Sequence, residues 1–283
     1  MIRRKELLFF LMPALSYLVI FSIYPTVYTW FISFRSYRIF ENKFVGFENY
    51  IVLFRDSVFY ISLANTLFYV VVAVGIEFLL GLAIALLFNQ NFKGKSVAII
   101  FLMLPMIIPP VVSALTFLML YDPTLGLVNY VIKLLFGFST VSWLTEPSTA
   151  KWAVVSIDVW QWTPFVALVL LAGLQYLPKE TLEAARIDGA NSFQLFYRIT
   201  LPLIKRVVII ALLFRLVEAF KAFESIYITT KGGPGYATRT LNIYSYLKAF
   251  EFLKFGESSA MAIIMLFVAS FLVMILIKVF RSA

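Results

Sequence analysis

Cysteine and histidine are both missing from the 283 residues, and together these absences remove disulfide, thiolate and imidazole chemistry. A zinc, haem or iron–sulfur centre loses its usual ligands with them. An intramembrane hydrolase fails too, since the chain also has no paired-aspartate motif in a suitable setting. Charge is scarce: charged residues make up 14% of the chain against 62% hydrophobic residues, and the mean hydropathy is +0.92. No soluble fold hides this much apolar surface, so the solvent of the chain is lipid. The net charge of +9 is scattered over short loops, which suits anionic lipid headgroups rather than nucleic acid.

What is present is a series of apolar runs, each above the roughly 20 residues that span a bilayer. They predict an all-α membrane bundle of six transmembrane helices: Leu7–Phe34, Val58–Phe88, Ser96–Leu120, Lys151–Leu174, Pro202–Ile228 and Glu257–Phe280. The first run follows a basic tail as a signal peptide would, but its length and the lack of a small-residue cleavage site read as a retained anchor. This gives an anchor helix with its loop over 1–57 and a core over 58–283, and leaves no room for a nucleotide-binding domain. With the amino terminus inside, the cytoplasmic segments carry twelve Lys and Arg residues, among them Arg3, Lys93 and Lys95, against ten outside. The positive-inside rule then places both termini in the cytoplasm.

The segment from Lys179 to Pro202 is too polar to span and too patterned to be slack. It reads as helix, turn, helix. Glu180, Glu183, Ala184 and Ala185 favour the first helix, Gly189 permits a left-handed turn, and Asn191 or Ser192 can cap the second. Pro202 then opens a new helix without losing a donor. Phe193, Phe196 and Tyr197 at i, i+3 and i+4 give the second helix a sticky face. The alternative is an amphipathic connector lying on the bilayer surface.

Intramembrane polar residues mark the candidate cavity. Asp158, Gln161, Trp162 and Phe165 share one face of the fourth helix, bent near Pro164, and combine acceptors, a donor and flat rings as sugar sites do. Trp160 and Trp162 are alternatively interfacial anchors. Arg215, Glu218, Ala219 and Ala222 share a face of the fifth helix, where two alanines leave space beside two charges. The competing reading pairs Arg215 with Glu218, and Lys221 with Glu224, as a structural ladder. Glu77 in the second helix suits packing against a partner subunit. Arg215 keeps an anionic substrate, such as a sugar acid or phosphate ester, open. An ion-coupled secondary transporter or channel using Asp158, Glu77, Arg215 and Glu218 is the rival function.

Glu183-Ala184-Ala185, Gly189, Ile199 and Leu201-Pro202, at their spacing, resemble the EAA signature of ABC-importer permeases. The chain is similar over nearly its whole length to the type I, maltose-permease-like members that serve maltose, lactose, trehalose and glycerol-3-phosphate. Val45-Gly-Phe-Glu-Asn-Tyr50 resembles their loop after helix 1 and Asn65-Thr66 the start of their helix 2. Leu104-Pro105 with Pro109-Pro110 resembles their broken helix 3, and Thr230-Lys-Gly-Gly-Pro234 with Thr238 and Thr240 their outer loop. Tyr24-Pro25 and the Val45–Tyr50 loop are closer to the first permease of the usual unlike pair. The resemblance implies coupling helices at 179–201, with Glu183, Ala184, Ala185, Asp188, Gly189, Ala190, Phe193, Leu201 and Pro202 contacting an ATPase, and sugar binding between helices 4 and 5. It also implies a second homologous permease, two ATP-binding subunits that use ATP and Mg, an extracytoplasmic solute-binding protein and the inner membrane as location. No cofactor is implied for the chain itself: Gly94-Lys95-Ser96 is preceded by Asn89 where a phosphate-binding loop needs its first glycine.

Overall fold

The structure is a computed structural model that describes residues 4–38, 41–137 and 140–282. The beginning of the basic tail, with Arg3, lies outside the described residues. The first apolar run forms α1 (Arg4–Leu18), a π-helical turn (Val19–Ile23) and α2 (Tyr24–Ser33). A short antiparallel ribbon follows, β1 (Arg35–Arg38) and β2 (Glu41–Phe44), with Arg35 opposite Phe44 and Tyr37 opposite Asn42. Then come α3 (Glu48–Arg55), α4 (Ser57–Asn89), α5 (Lys95–Ile107), α6 (Pro110–Leu120), α7 (Leu127–Phe136) and α8 (Pro147–Gln175). The polar segment holds α9 (Lys179–Ile187), α10 (Ser192–Gln194), a π-helical stretch (Leu195–Thr200) and α11 (Leu201–Leu203). The remainder is α12 (Lys205–Phe220), α13 (Glu224–Thr230), α14 (Leu241–Tyr246), a third π-helical turn (Leu247–Glu251) and α15 (Phe255–Ser282).

Among the described residues four helices are long and apolar enough to cross a membrane: Phe10–Ser33, Ser57–Asn89, Pro147–Gln175 and Phe255–Val279. The third expected span is α5 plus α6, bent by 94° at their junction, because Pro109 and Pro110 deny the ladder two donors and push the preceding residue into extended backbone. Ile108 accordingly has ψ 130°. The fifth expected span needs correction. It is not continuous from Pro202 to Ile228: α12 is 16 residues long, the chain leaves helical geometry at Phe223 (φ −137°, ψ −56°), and α13 begins at Glu224. The fourth helix starts at Pro147, four residues before the sequence estimate, with the proline in its first turn where a missing donor costs nothing.

The chain divides into two compact units, residues 1–60 with 244–268 and residues 61–243 with 269–283. In the first, the loop motif 45–50 acts as a clasp. The Asn49 amide donates to the carbonyls of Ser33 (2.8 Å) and Arg35 (2.9 Å), and the Tyr50 hydroxyl to Ser33 Oγ (2.8 Å). A second polar cluster joins α3 to the chain around α14 and the foot of α15. Lys248 Nζ lies 2.6 Å from Glu257 Oε2 and 3.4 Å from Asp56 Oδ2, while the Tyr244 hydroxyl donates to Asp56.

This cluster carries a pH prediction. Burial works to raise the Asp56 pKa, but the Tyr244 hydroxyl, the Val58 N–H and Lys248 outweigh it and hold the carboxyl below its ordinary value. Burial likewise opposes the Lys248 ammonium, yet Glu257 and Tyr244 leave its pKa raised; Tyr244 is pushed up to about 12 by burial and by Asp56. The Asp56 contribution is present above the unfolded carboxylate pKa and is lost as pH falls through the depressed folded value. The Lys248 and Tyr244 contributions are complete below their unfolded values and are lost as pH rises through the folded ones. Amide exchange over residues 247–254, corrected for intrinsic rates, is expected to be flat between about pH 5 and 9 and faster on either side. Asp56→Asn should remove the Asp56 share of the acid arm and, because Asp56 helps hold Tyr244 up, shrink the alkaline arm as well; a flat acid side in the wild type would contradict the assignment.

In the second unit α8 is the central helix, 61% of its apolar window being buried, against 33% for α4. Val166, Leu170, Leu171 and Leu174 of α8 pack with Ala85 of α4, with Ile204, and with Val208 of α12. Gly173 permits the close approach of α8 and α12, since a Cβ there would stand 2.9 Å from Val207 Cγ1. Small residues at such crossings are what let helices pack where lipid supplies no hydrophobic drive. Asn65 and Thr66 of α4 fix the loop after α13: Asn65 donates to the carbonyls of Tyr236 (2.7 Å) and Arg239 (3.1 Å), and Thr66 Oγ1 accepts from the Leu241 N–H (2.9 Å).

Candidate functional site

A cavity of about 270 Å³ opens where α8 passes the break between α12 and α13. Asp158, Gln161 and Trp162 line it from α8, one helical face as their i, i+3, i+4 spacing requires. The opposite wall is Glu218, then Lys221, Ala222 and Phe223 in the break, then Glu224 and Ser225; Pro110 closes one side. The break shapes this wall: a continuous helix would turn Glu218 and Glu224 along its own surface instead of around a concavity. Gln161 donates through Nε2 to the Ile108 carbonyl at 2.8 Å, the residue before the Pro109–Pro110 bend. The bend therefore exposes a carbonyl whose partner is a cavity residue.

Behind the cavity wall lies a buried charged triad. Arg215 donates through Nε to Glu77 Oε2 (2.5 Å), and through Nη2 to Glu77 Oε1 (2.8 Å) and Asp158 Oδ2 (2.8 Å). Its side chain is 2% exposed, that of Glu77 0% and that of Asp158 7%. The guanidinium carbon sits 5.1 Å from the Trp162 ring centroid, a cation–π contact that adds to the ion pairs. The fork of Arg215 thus ties α4, α8 and α12 together with the bidentate geometry that only arginine offers.

This triad overturns two sequence expectations. Arg215 does not pair with Glu218, which instead meets Lys221 at 2.8 Å in an exposed pair, so the Lys221–Glu224 ladder is not formed either. Glu77 is not left for a partner subunit; it is the main ligand of Arg215. Three further expected cavity residues stand off the lining. Arg215 and Ala219 are buried at 1% and 2% exposure, and Phe165 packs between Trp162 (6.5 Å) and Phe214 (6.4 Å). Trp160 lies outside the lining as well, edge-on to Phe117 at 5.3 Å. Lys221, Phe223, Glu224 and Ser225 join the lining as residues the helical-face argument missed. A cluster of three charges ending an apolar run, Glu218, Lys221 and Glu224, was the available signal that the helix stops there.

The segment 179–201 folds as its punctuation requires. The Asp188 N–H returns to the Ala184 carbonyl (2.9 Å) and the Ala190 N–H to that of Ala185 (3.0 Å), across Gly189 at φ +85°. Asn191 caps α10 reciprocally: its Oδ1 accepts from the Gln194 N–H (2.8 Å), and Gln194 Oε1 accepts from the Asn191 N–H (3.0 Å). The second helix differs from expectation beyond that point. Three α-helical residues pass into the π-helical stretch Leu195–Thr200, which changes the face: Phe193 and Tyr197 stack at 6.1 Å and are 74% and 63% exposed, while Phe196 is half-buried. Glu183 and Arg186 of α9, with Lys95 and Gln175, line a recess of about 350 Å³. Leu201 and Pro202 form the first turn of α11.

A bent helix pair, a central α8, a polar cavity beside a broken helix and an exposed knob define a polytopic helical membrane protein. The sequence model of the binding-protein-dependent transport system inner membrane component family matches residues 77–283, and the chain belongs to that family. It is a multi-pass inner-membrane permease of the ABC importer kind, which displaces the ion-coupled alternative. The trehalose/maltose transport system permease protein MalF of Thermococcus litoralis is 38% identical over 90% of this chain and 86% of its own. The trehalose transport system permease protein SugA of Mycobacterium tuberculosis is 32% identical over 100% of this chain and 91% of its own. Among solved structures, a bacterial alginate ABC transporter in complex with alginate pentasaccharide-bound periplasmic protein superposes with a TM-score of 0.84 at 24% identity, over 96% of this chain and 93% of that one.

Proposed function

We propose that the chain is a sugar-translocating half of an ATP-driven importer, with its solute site in the cavity between α8 and the α12–α13 break. The observation that carries this is the convergence of Asp158, Gln161 and Trp162 with Glu218 and Ala222 on one concavity of about 270 Å³, near the lower end of ordinary ligand pockets at roughly 300–1,000 Å³. Carboxylate and amide oxygens there accept from hydroxyls, and the Trp162 ring offers a flat face to sugar C–H groups. The names of the trehalose and maltose relatives support the same solute class.

Energy enters through residues 179–201. Glu183, Ala184, Ala185, Asp188, Gly189 and Ala190 build the turn that presents Phe193 and Tyr197, and Leu201–Pro202 pass its displacement into α12. The knob docks into one of two ATP-binding subunits, which hold ATP and Mg²⁺. A second permease completes the pathway, and an extracytoplasmic binding protein delivers solute, as the alginate complex supports. The basic residues place both termini in the cytoplasm. The test is uptake of labelled trehalose by proteoliposomes containing the assembled complex. Uptake should require ATP and the binding protein; uptake driven by a proton or sodium gradient alone would refute the coupling scheme.

A further inference from the structure

We infer that the cavity admits polyhydroxylated solutes that carry no negative charge and turns away sugar acids and sugar phosphates. The inference rests on this cavity being the solute site. Arg215 is what kept an anionic solute open in the sequence, and the structure withdraws it. Its Nε and Nη2 are spent on Glu77 and Asp158 at 2.5–2.8 Å, the residue is 1% exposed, and it does not line the cavity. Asp158 is the one member of that triad at the cavity wall, where it brings a carboxyl group and no cation.

The remaining ionisable lining residues repeat the sign. Glu218 and Glu224 are acidic, Lys221 alone is basic, and Lys221 is already paired with Glu218 at 2.8 Å. Hydrogen-bonding capacity points the same way. The Gln161 amide nitrogen is committed to the Ile108 carbonyl, so what Gln161 has left to offer is its acceptor oxygen. A wall rich in acceptors is satisfied by hydroxyl donors. A carboxylate or phosphate brings only further acceptors and a like charge to that wall, where the one lining cation is already held by Glu218.

The experiment measures equilibrium binding to the assembled transporter in nanodiscs without its binding protein, so that selectivity of the delivery protein does not enter. The probes are trehalose and its C6-oxidised monouronate. Trehalose is expected to bind at least ~10-fold tighter, and the double substitution Glu218→Gln with Glu224→Gln to reduce that ratio by at least ~5-fold. A mere structural role for the two glutamates would weaken both probes alike and leave the ratio unmoved. Ala222→Trp, which fills the cavity, should abolish binding of both. If the monouronate binds as tightly as trehalose and Ala222→Trp removes both, the charge inference is wrong while the site stands. If Ala222→Trp leaves trehalose binding intact, or the wild type binds neither probe, the site reading fails and the inference falls with it.

Discussion

Replacing Arg215 by methionine is expected to destabilise the chain by about 3–5 kcal/mol, the usual consequence of removing one partner from a buried ion-pair network. Methionine restores most of the side-chain volume but leaves Glu77 and Asp158, at 0% and 7% side-chain exposure, facing each other without a cation. A single unpaired charge at the centre of a spanning helix already costs ~2.5–3.5 kcal/mol on the lower scale. The readout is thermal unfolding in detergent together with the monodisperse fraction after extraction. Arg215→Lys should fall between wild type and methionine, because an ammonium cannot bind Glu77 through two parallel bonds while also reaching Asp158. Adding Glu77→Gln and Asp158→Asn to Arg215→Met should recover more than half of the loss. If Arg215→Met unfolds within about 1 kcal/mol of wild type, less than the usual cost of an unpaired buried charge, the triad does not hold α4, α8 and α12 together.

The second large effect is expected at Gly189, on the coupling role proposed for the 179–201 segment. Its φ of +85° is a conformation that a β-branched residue rarely adopts. Beyond the adjoining residues no atom lies within 4 Å of a Cβ placed there, so Gly189→Val acts chiefly through the backbone, with roughly 1–2 kcal/mol of strain. That is enough to flip a solvent-exposed turn and too little to unfold a bundle. The variant should insert and purify like wild type, while solute-stimulated ATP hydrolysis of the assembled complex falls at least ~10-fold. Gly189→Asn should retain most of the stimulation, since asparagine tolerates the left-handed region. Stimulation by the valine variant at the wild-type level would sink the coupling assignment.

How far the site was legible follows from the distances involved. The turn at Gly189 and the Asn191 cap are decided by residues a few positions apart, and each formed where its residues stand; the Pro109–Pro110 bend is as local in its cause, but it was expected only from the family resemblance. The face of α8 was legible too, because a helix puts Asp158, Gln161 and Trp162 on one side by its own geometry. The fifth helix misled the same reasoning. Periodicity carried the helical face past Phe220 to Ala222, and the chain breaks there, so the far wall of the cavity was only half named.

The sequence by itself determined the solvent, the class of fold and the address of the hinged knob, because apolar run length, proline and glycine placement and local capping act within a few turns of chain. Only the tertiary structure decided the partners of Arg215. Glu218 lies three residues away and was the natural local partner, yet Arg215 meets Glu77 and Asp158, 138 and 57 positions distant along the chain. In a membrane interior a charge goes to the partner that can be buried with it, and which carboxylate that is depends on the packing of three helices.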